Sequence, residues 1–121
     1  FALDGNNSNM GSGDIGIQWT NTTLVSVSLD FEGSKAICGA YVYGKSGVNK
    51  ITATVTLSRK NSNGTYTTIK TWDNLYSDNH ILIFDGAYYV SLGYTYRLTI
   101  NATVYLNGIG ETVSLYHEAD T

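Results

Sequence analysis

In Lys50-Ile51-Thr52-Ala53-Thr54-Val55-Thr56-Leu57-Ser58-Arg59, polar and apolar side chains alternate without a break from Lys50 to Ser58. Successive residues of a β-strand point to opposite faces. The run therefore sends Ile51, Ala53, Val55 and Leu57 to one side and Thr52, Thr54, Thr56 and Ser58 to the other. A helix would scatter the same apolar residues around its circumference and bury no face. The stretch reads as a half-buried strand, the third of seven expected along the chain.

The same period of two extends outward in both directions. Upstream, Thr23 to Phe31 places Val25, Val27, Leu29 and Phe31 on one face, and Lys35 to Tyr43 turns Ala36, Cys38, Ala40 and Val42 inward with Ile37, Tyr41 and Tyr43 outward. Downstream, Lys60-Asn61-Ser62-Asn63-Gly64 predicts a hairpin, because Asn-Gly readily takes the positive φ a tight turn needs. The fourth strand is read as Thr65 to Trp72. Simple alternation puts Tyr66 and Trp72 together and Ile69 opposite, a parity that a bulge or an edge position would explain. Asp73 to Asn79 reads as a loop and His80 to Phe84 as a short fifth strand of undetermined facing. Gly93 to Leu106 is the sixth and longest, with Tyr96, Leu98, Ile100, Ala102 and Val104 inward; Asn107-Gly108 turns the chain into a seventh from Glu111 to His117, with Val113 and Leu115 inward. Residues 1–13 read as a flexible leader and 14–121 as a single β-sandwich domain.

Composition agrees with that reading. A chain of 121 residues suits one domain and supports a core without metals or disulfides. Charged residues are 14% of the chain and ten tyrosines are present; Thr and Tyr fit a pleated surface, while Asn and Gly serve turns. The net charge of −3 with seven scattered basic residues argues against nucleic acid, which needs a basic stripe. No apolar run is long enough for a membrane-spanning helix. No charged start followed by an apolar stretch is present, so a secreted or extracellular protein is expected to have had its signal peptide removed. Cys38 is the single cysteine, which rules out an internal disulfide.

Val90-Ser91-Leu92-Gly93-Tyr94-Thr95-Tyr96 resembles the tyrosine corner of immunoglobulin and fibronectin type III sandwiches, in which a Tyr opening a late strand bonds the backbone just upstream. The resemblance implies a seven-stranded antiparallel immunoglobulin-like sandwich with its corner at Tyr96. It also implies that Cys38 and Leu98 stand where antibody domains carry their bridging cysteines, so the two are expected to pack in the core. The usual strand-C tryptophan is missing, which limits the likeness to architecture. More narrowly, Ile51-x-x-x-Val55-x-Leu57-x-Arg59, Asn63-Gly64-x-Tyr66-x-x-Ile69-Lys70-Thr71-Trp72, Gly93-Tyr94-x-Tyr96-Arg97 and Glu111 resemble a family of small secreted proteins of unassigned function from Gram-positive anaerobes such as Clostridia. Tyr66 stands where that family usually has an aromatic, often Trp. The family implies export and a β-sandwich, and no activity.

No catalytic residue and no cofactor is read from the sequence. His80 and His117 lie far apart in sequence, with no close-spaced ligand set for zinc. Cys38 sits mid-strand between alanines, where a thiol behaves as a small hydrophobe rather than as a nucleophile. Asp30, Glu32, Asp85 and Glu111 fall at expected turns and strand ends, where solvated acids belong. The expected acidic loops Asp73 to Asp78 and Asp85-Gly86 could hold calcium but lack EF-hand spacing. Asn-x-Ser/Thr at Asn6, Asn21, Asn63 and Asn101 is read as chance.

The expectation is instead a non-catalytic binding surface. If the third, fourth, sixth and seventh strands share a sheet, Thr52, Thr54, Thr56, Thr99, Asn101 and Thr103 form a hydroxyl-rich field bordered by Tyr66, Trp72, Tyr105 and Tyr116. Tyr41 and Tyr43 are a second exposed pair. Rings beside hydroxyls stack on sugars or anchor proteins. The leading expectation is a secreted module engaging a host or cell-surface protein, immunoglobulin among the candidates. The alternatives are a carbohydrate-binding module using exposed Trp and Tyr, and a structural or assembly protein pairing through edge strands. Partners are expected to be a protein or glycan ligand at a surface, with no nucleic acid and no membrane insertion; the oligomeric state is left open.

Overall fold

A computed structural model describes residues 19–121; the expected leader, 1–13, lies outside the described residues. Seven strands form among them: β1 (Thr22–Glu32), β2 (Lys35–Gly44), β3 (Lys50–Lys60), β4 (Tyr66–Ser77), β5 (Ile81–Tyr89), β6 (Thr95–Leu106) and β7 (Ile109–Asp120). They pair antiparallel as a three-stranded sheet in the order β1-β2-β5 and a four-stranded sheet in the order β4-β3-β6-β7. The described residues contain no helix.

The alternation does what elementary burial demands. Ile51, Ala53, Val55 and Leu57 of β3 and Tyr96, Leu98, Ile100, Ala102 and Val104 of β6 are buried, and strict cross-strand register keeps the two sets side by side. Ala36, Cys38, Ala40 and Val42 of β2, with Leu82 and Phe84 of β5, complete the core from the other sheet. Each buried Val, Leu or Ile contributes about 1.5–3 kcal/mol of transfer free energy. Between β6 and β7, Asn107 (φ +54) and Gly108 (φ +79) form the expected two-residue turn; positive φ at both positions matches the strand twist. Tyr96 is almost wholly buried, and its hydroxyl donates to the carbonyl of Ser91 at 2.5 Å.

Two expectations are corrected. Asp73–Asn79 is not wholly a loop, because β4 continues through Ser77. Asp85-Gly86 is not a loop either; both lie inside β5, opposite Gly39 and Cys38. The cause in β4 is irregular pairing. Leu57 opposes Lys70 and Ser58 opposes Thr68, so Ile69 is an extra residue; Val55 opposes Trp72 and Ala53 opposes Leu75, so a second extra residue falls at 73–74, where Asn74 has φ +60. Each bulge reverses which face the following side chains take. Tyr66 therefore points outward and Trp72 inward, although simple alternation groups them. The Trp72 ring lies 5.1 Å from Phe84. A Cβ at Gly86 would sit 3.2 Å from the Trp72 indole and 2.6 Å from the Phe84 ring, so the missing side chain is what admits both rings.

Cys38 and Leu98 both belong to the buried core cluster. Burial pushes the Cys38 thiol up to about 11. A raised thiol favours the folded state fully below the ordinary value of 9.0 and progressively less as pH rises through the folded one. An aromatic disulfide reagent at pH about 8 should leave the native thiol untouched and label one equivalent after denaturant is added, since only thiolate attacks. Rapid labelling of native protein would contradict the buried placement.

Candidate functional site

β3, β4, β6 and β7 do share one sheet, so the hydroxyl field exists as one surface. Thr52 faces Thr103, Thr54 faces Asn101 and Thr56 faces Thr99 across the β3–β6 ladder. Side chains alternate, and the inward set is the core, so this set covers the outside.

At one end of the field Arg97 of β6 is held between two rings. Its guanidinium carbon is 4.1 Å from the centre of Tyr66 on β4 and 4.0 Å from that of Tyr116 on β7. Arg97 Nε donates to Glu118 Oε2 at 2.8 Å, and its Nη2 pairs with the same carboxylate. The Tyr66 hydroxyl donates to Glu118 and accepts from Arg97 Nη2 at 3.2 Å. Burial and then the Glu118 contact raise the Tyr66 phenol above its ordinary range. Burial alone would raise the Glu118 carboxyl as well, but the bonds from Tyr66 and Arg97 outweigh it and hold the group below the ordinary value. The cluster arises from register: Arg97 opposes Glu118 directly, while Tyr116 faces Thr99. It joins three strands and fixes four long side chains before any partner arrives.

The other end is concave. Lys50 Nζ lies 4.2 Å over the Tyr105 ring. Asn49, Lys50, Tyr76, Tyr105 and Gly108 line an open hollow of about 420 Å³. It shares Tyr76 with a neighbouring hollow of about 400 Å³ whose floor includes Thr52, Thr54, Asn101 and Thr103. Tyr76 is 62% exposed.

Of the aromatics expected on this face, Tyr66, Tyr105 and Tyr116 lie there, and Trp72 lies on the inner side against Phe84. Tyr41 and Tyr43, expected as an exposed pair, are half-buried; their tilted rings lie 5.0 Å apart on the outside of the three-stranded sheet, opposite Ile83 and Ile81 of β5. Sequence reasoning missed Arg97 and Glu118 as a pair, along with Lys50 and Tyr76. Arg97 was legible as a charged residue at outward parity, whereas Glu118 fell just past the strand read as ending at His117. Tyr76 was hidden by the second bulge, which placed it in an apparent loop.

His80 and His117 are exposed, as are Asp30, Glu32 and Asp85. Glu111 is different. It is half-buried and accepts bonds from the backbone N–H groups of Thr20 and Asn21 and from Thr22 Oγ1, so it is a clamp rather than a solvated acid. Asn21 is buried too, its amide donating to the carbonyls of Val104 and Ile109. Among the described residues no group of three or more His, Cys, Asp or Glu side chains converges as metal ligands would. No family model, curated protein or solved structure matches the chain.

Proposed function

We propose that this chain is a non-catalytic binding module with an immunoglobulin-like sandwich fold, exported from a Gram-positive cell, that engages a protein at a host or cell surface through the outer face of its four-stranded sheet. The observation that carries the reading is the Tyr66–Arg97–Tyr116 stack on Glu118. Tyr and Arg dominate the residues that carry binding energy in protein interfaces. A guanidinium already fixed by two rings and a carboxylate loses little rotamer freedom on association. The surrounding Thr, Asn and Tyr resemble the composition of antibody paratopes.

The immunoglobulin-like reading is supported by the sheet order, which sets the first, second and fifth strands against the third, fourth, sixth and seventh, and by the Tyr96 bond to Ser91, the contact a tyrosine corner makes. Export is supported by the low charge and uncharged polar surface. The resemblance to secreted proteins of Gram-positive anaerobes fits the same picture. The glycan alternative relied on Trp72 as its leading exposed ring, and that ring packs on Phe84.

Affinity capture from host secretions, immunoglobulins included, tests the proposal with wild type and Arg97→Ala side by side. A protein partner should be retained by wild type, and the variant should bind at least about 30-fold more weakly, the loss expected of an interface hot spot. Blank captures across protein sources, or binding indifferent to Arg97, would count against it. A glycan array on the same two proteins separates out the carbohydrate reading.

A further inference from the structure

We infer that two copies of this chain associate through β5, edge to edge and antiparallel, in a register centred on Gly86. Unpaired strand edges offer rows of free N–H and C=O groups, and proteins blunt them with bulges, charges or covers. Three of the four edges here are blunted. β4 carries two bulges, with Lys70 at the inward register position opposite Leu57. β1 has a bulge at its start and acidic residues at its end. β7 bears Glu111, Glu118 and Asp120. β5 has no bulge, and no described strand pairs with its outer edge. Its pairing with β2 runs without a shift from Ile81 to Tyr89, and Asp85 is its one charged residue.

Which groups are free follows from parity. Gly44 N donates to His80 O at 2.7 Å and Val90 N donates to Ser34 O at 2.8 Å. Both bonds belong to one antiparallel register, so the even-numbered residues of β5 bond β2 and the odd-numbered ones direct their N–H and C=O away. At Ile81 both groups are taken, the N–H by Asn79 Oδ1 and the carbonyl by Ser77 Oγ. Among the described residues, nothing takes the outward groups of Ile83, Asp85, Ala87 and Tyr89. A two-fold axis at Gly86 pairs Ile83 with Tyr89 of a second copy and Asp85 with Ala87, so every free group on both chains finds a partner. An axis at Asp85 would instead set two carboxylates directly opposite each other, which destabilises a ladder. The side chains suit the Gly86 register: Ile83 is 66% and Tyr89 72% exposed, and β-branched–aromatic cross-strand pairs are favourable. This surface lies on the three-stranded sheet and is independent of the Arg97 face.

Sedimentation of the full chain across a concentration series tests the inference. Wild type should shift from monomer to dimer with rising concentration, and Ile83→Lys, whose exposed side chain is outside the core, should stay monomeric at least 10-fold higher in concentration. The double variant Ile83→Cys, Tyr89→Cys should form a disulfide-linked dimer on mild oxidation, since directly opposed Cα atoms about 5.5 Å apart fall within disulfide range. Monomeric wild type throughout, a dimer untouched by Ile83→Lys, or a dimer that forms without the cross-link would each overturn it.

Discussion

Leu98→Ala should lower the unfolding free energy by about 3 kcal/mol, the largest effect expected of any single truncation discussed. Leu98 is fully buried on β6, which is flanked by β3 and β7 in the four-stranded sheet. Its cross-strand neighbours are Leu57 and His117, and the second sheet packs over it. Backbone ladders on both sides prevent the chain from collapsing into the space the leucine leaves, so the cavity persists and adds to the lost transfer energy. In urea the midpoint should fall by about 1.5 M with little change in slope, taking about 2 kcal/mol/M for a small domain. Thr99→Ala, next along the strand on the outer face, should change stability by less than about 0.5 kcal/mol. Equal effects at the two positions would show that the faces have been assigned wrongly.

Glu111→Ala should cost about 2 kcal/mol, the penalty for leaving three donors, two of them on the buried residues Asn21 and Thr22, without a charged acceptor. The carboxylate receives Thr20 N, Asn21 N at 2.8 Å and Thr22 Oγ1 at 3.0 Å. Asn21 answers by bonding the carbonyls of Val104 on β6 and Ile109 on β7. Together they fasten the start of β1 to the opposite sheet. Burial alone would raise this carboxyl, but those bonds outweigh it and hold the folded group below 4.5. The sign follows from linkage: a depressed carboxyl contributes stability fully above its unfolded value and loses it as pH falls through the folded one. Melting temperature followed from neutral pH down to about pH 3 should drop for wild type below about pH 4.5. Glu111→Gln should melt lower at neutral pH and show a shallower acid slope. Glu118, depressed for its own reasons, contributes the same-signed slope to both proteins and leaves the difference to Glu111. Parallel acid profiles would mean that the clamp does not operate in solution.

The positions of Arg97, Tyr76 and Trp72 show where reading the chain stops. Parity along β3 and β6 was legible because each is a regular strand with one face in the core: apolar residues at every second position admit one arrangement. That same rule put the hydroxyl field outside and Cys38 with Leu98 inside. The hairpin at Asn107-Gly108 was legible because positive φ is a local property of those residues. β4 was legible only in part. Its broken alternation pointed to a bulge or an edge position, and it has both, but where the extra residues fall is set by the partner's register, so Trp72 was put on the wrong face and the strand's second half was read as a loop.

The sequence by itself determined the strand content, the inward set of the central strands and the tight turns, all of which follow from interactions spanning a few residues. Only the tertiary structure decided that Tyr66 and Tyr116 close on Arg97, that Trp72 turns in against Phe84, that Glu111 reaches the start of β1, and that β5 ends its sheet among the described strands. Each of these depends on which strands become neighbours, and neighbours distant in the chain are chosen by the packing of the whole core rather than by the residues that meet.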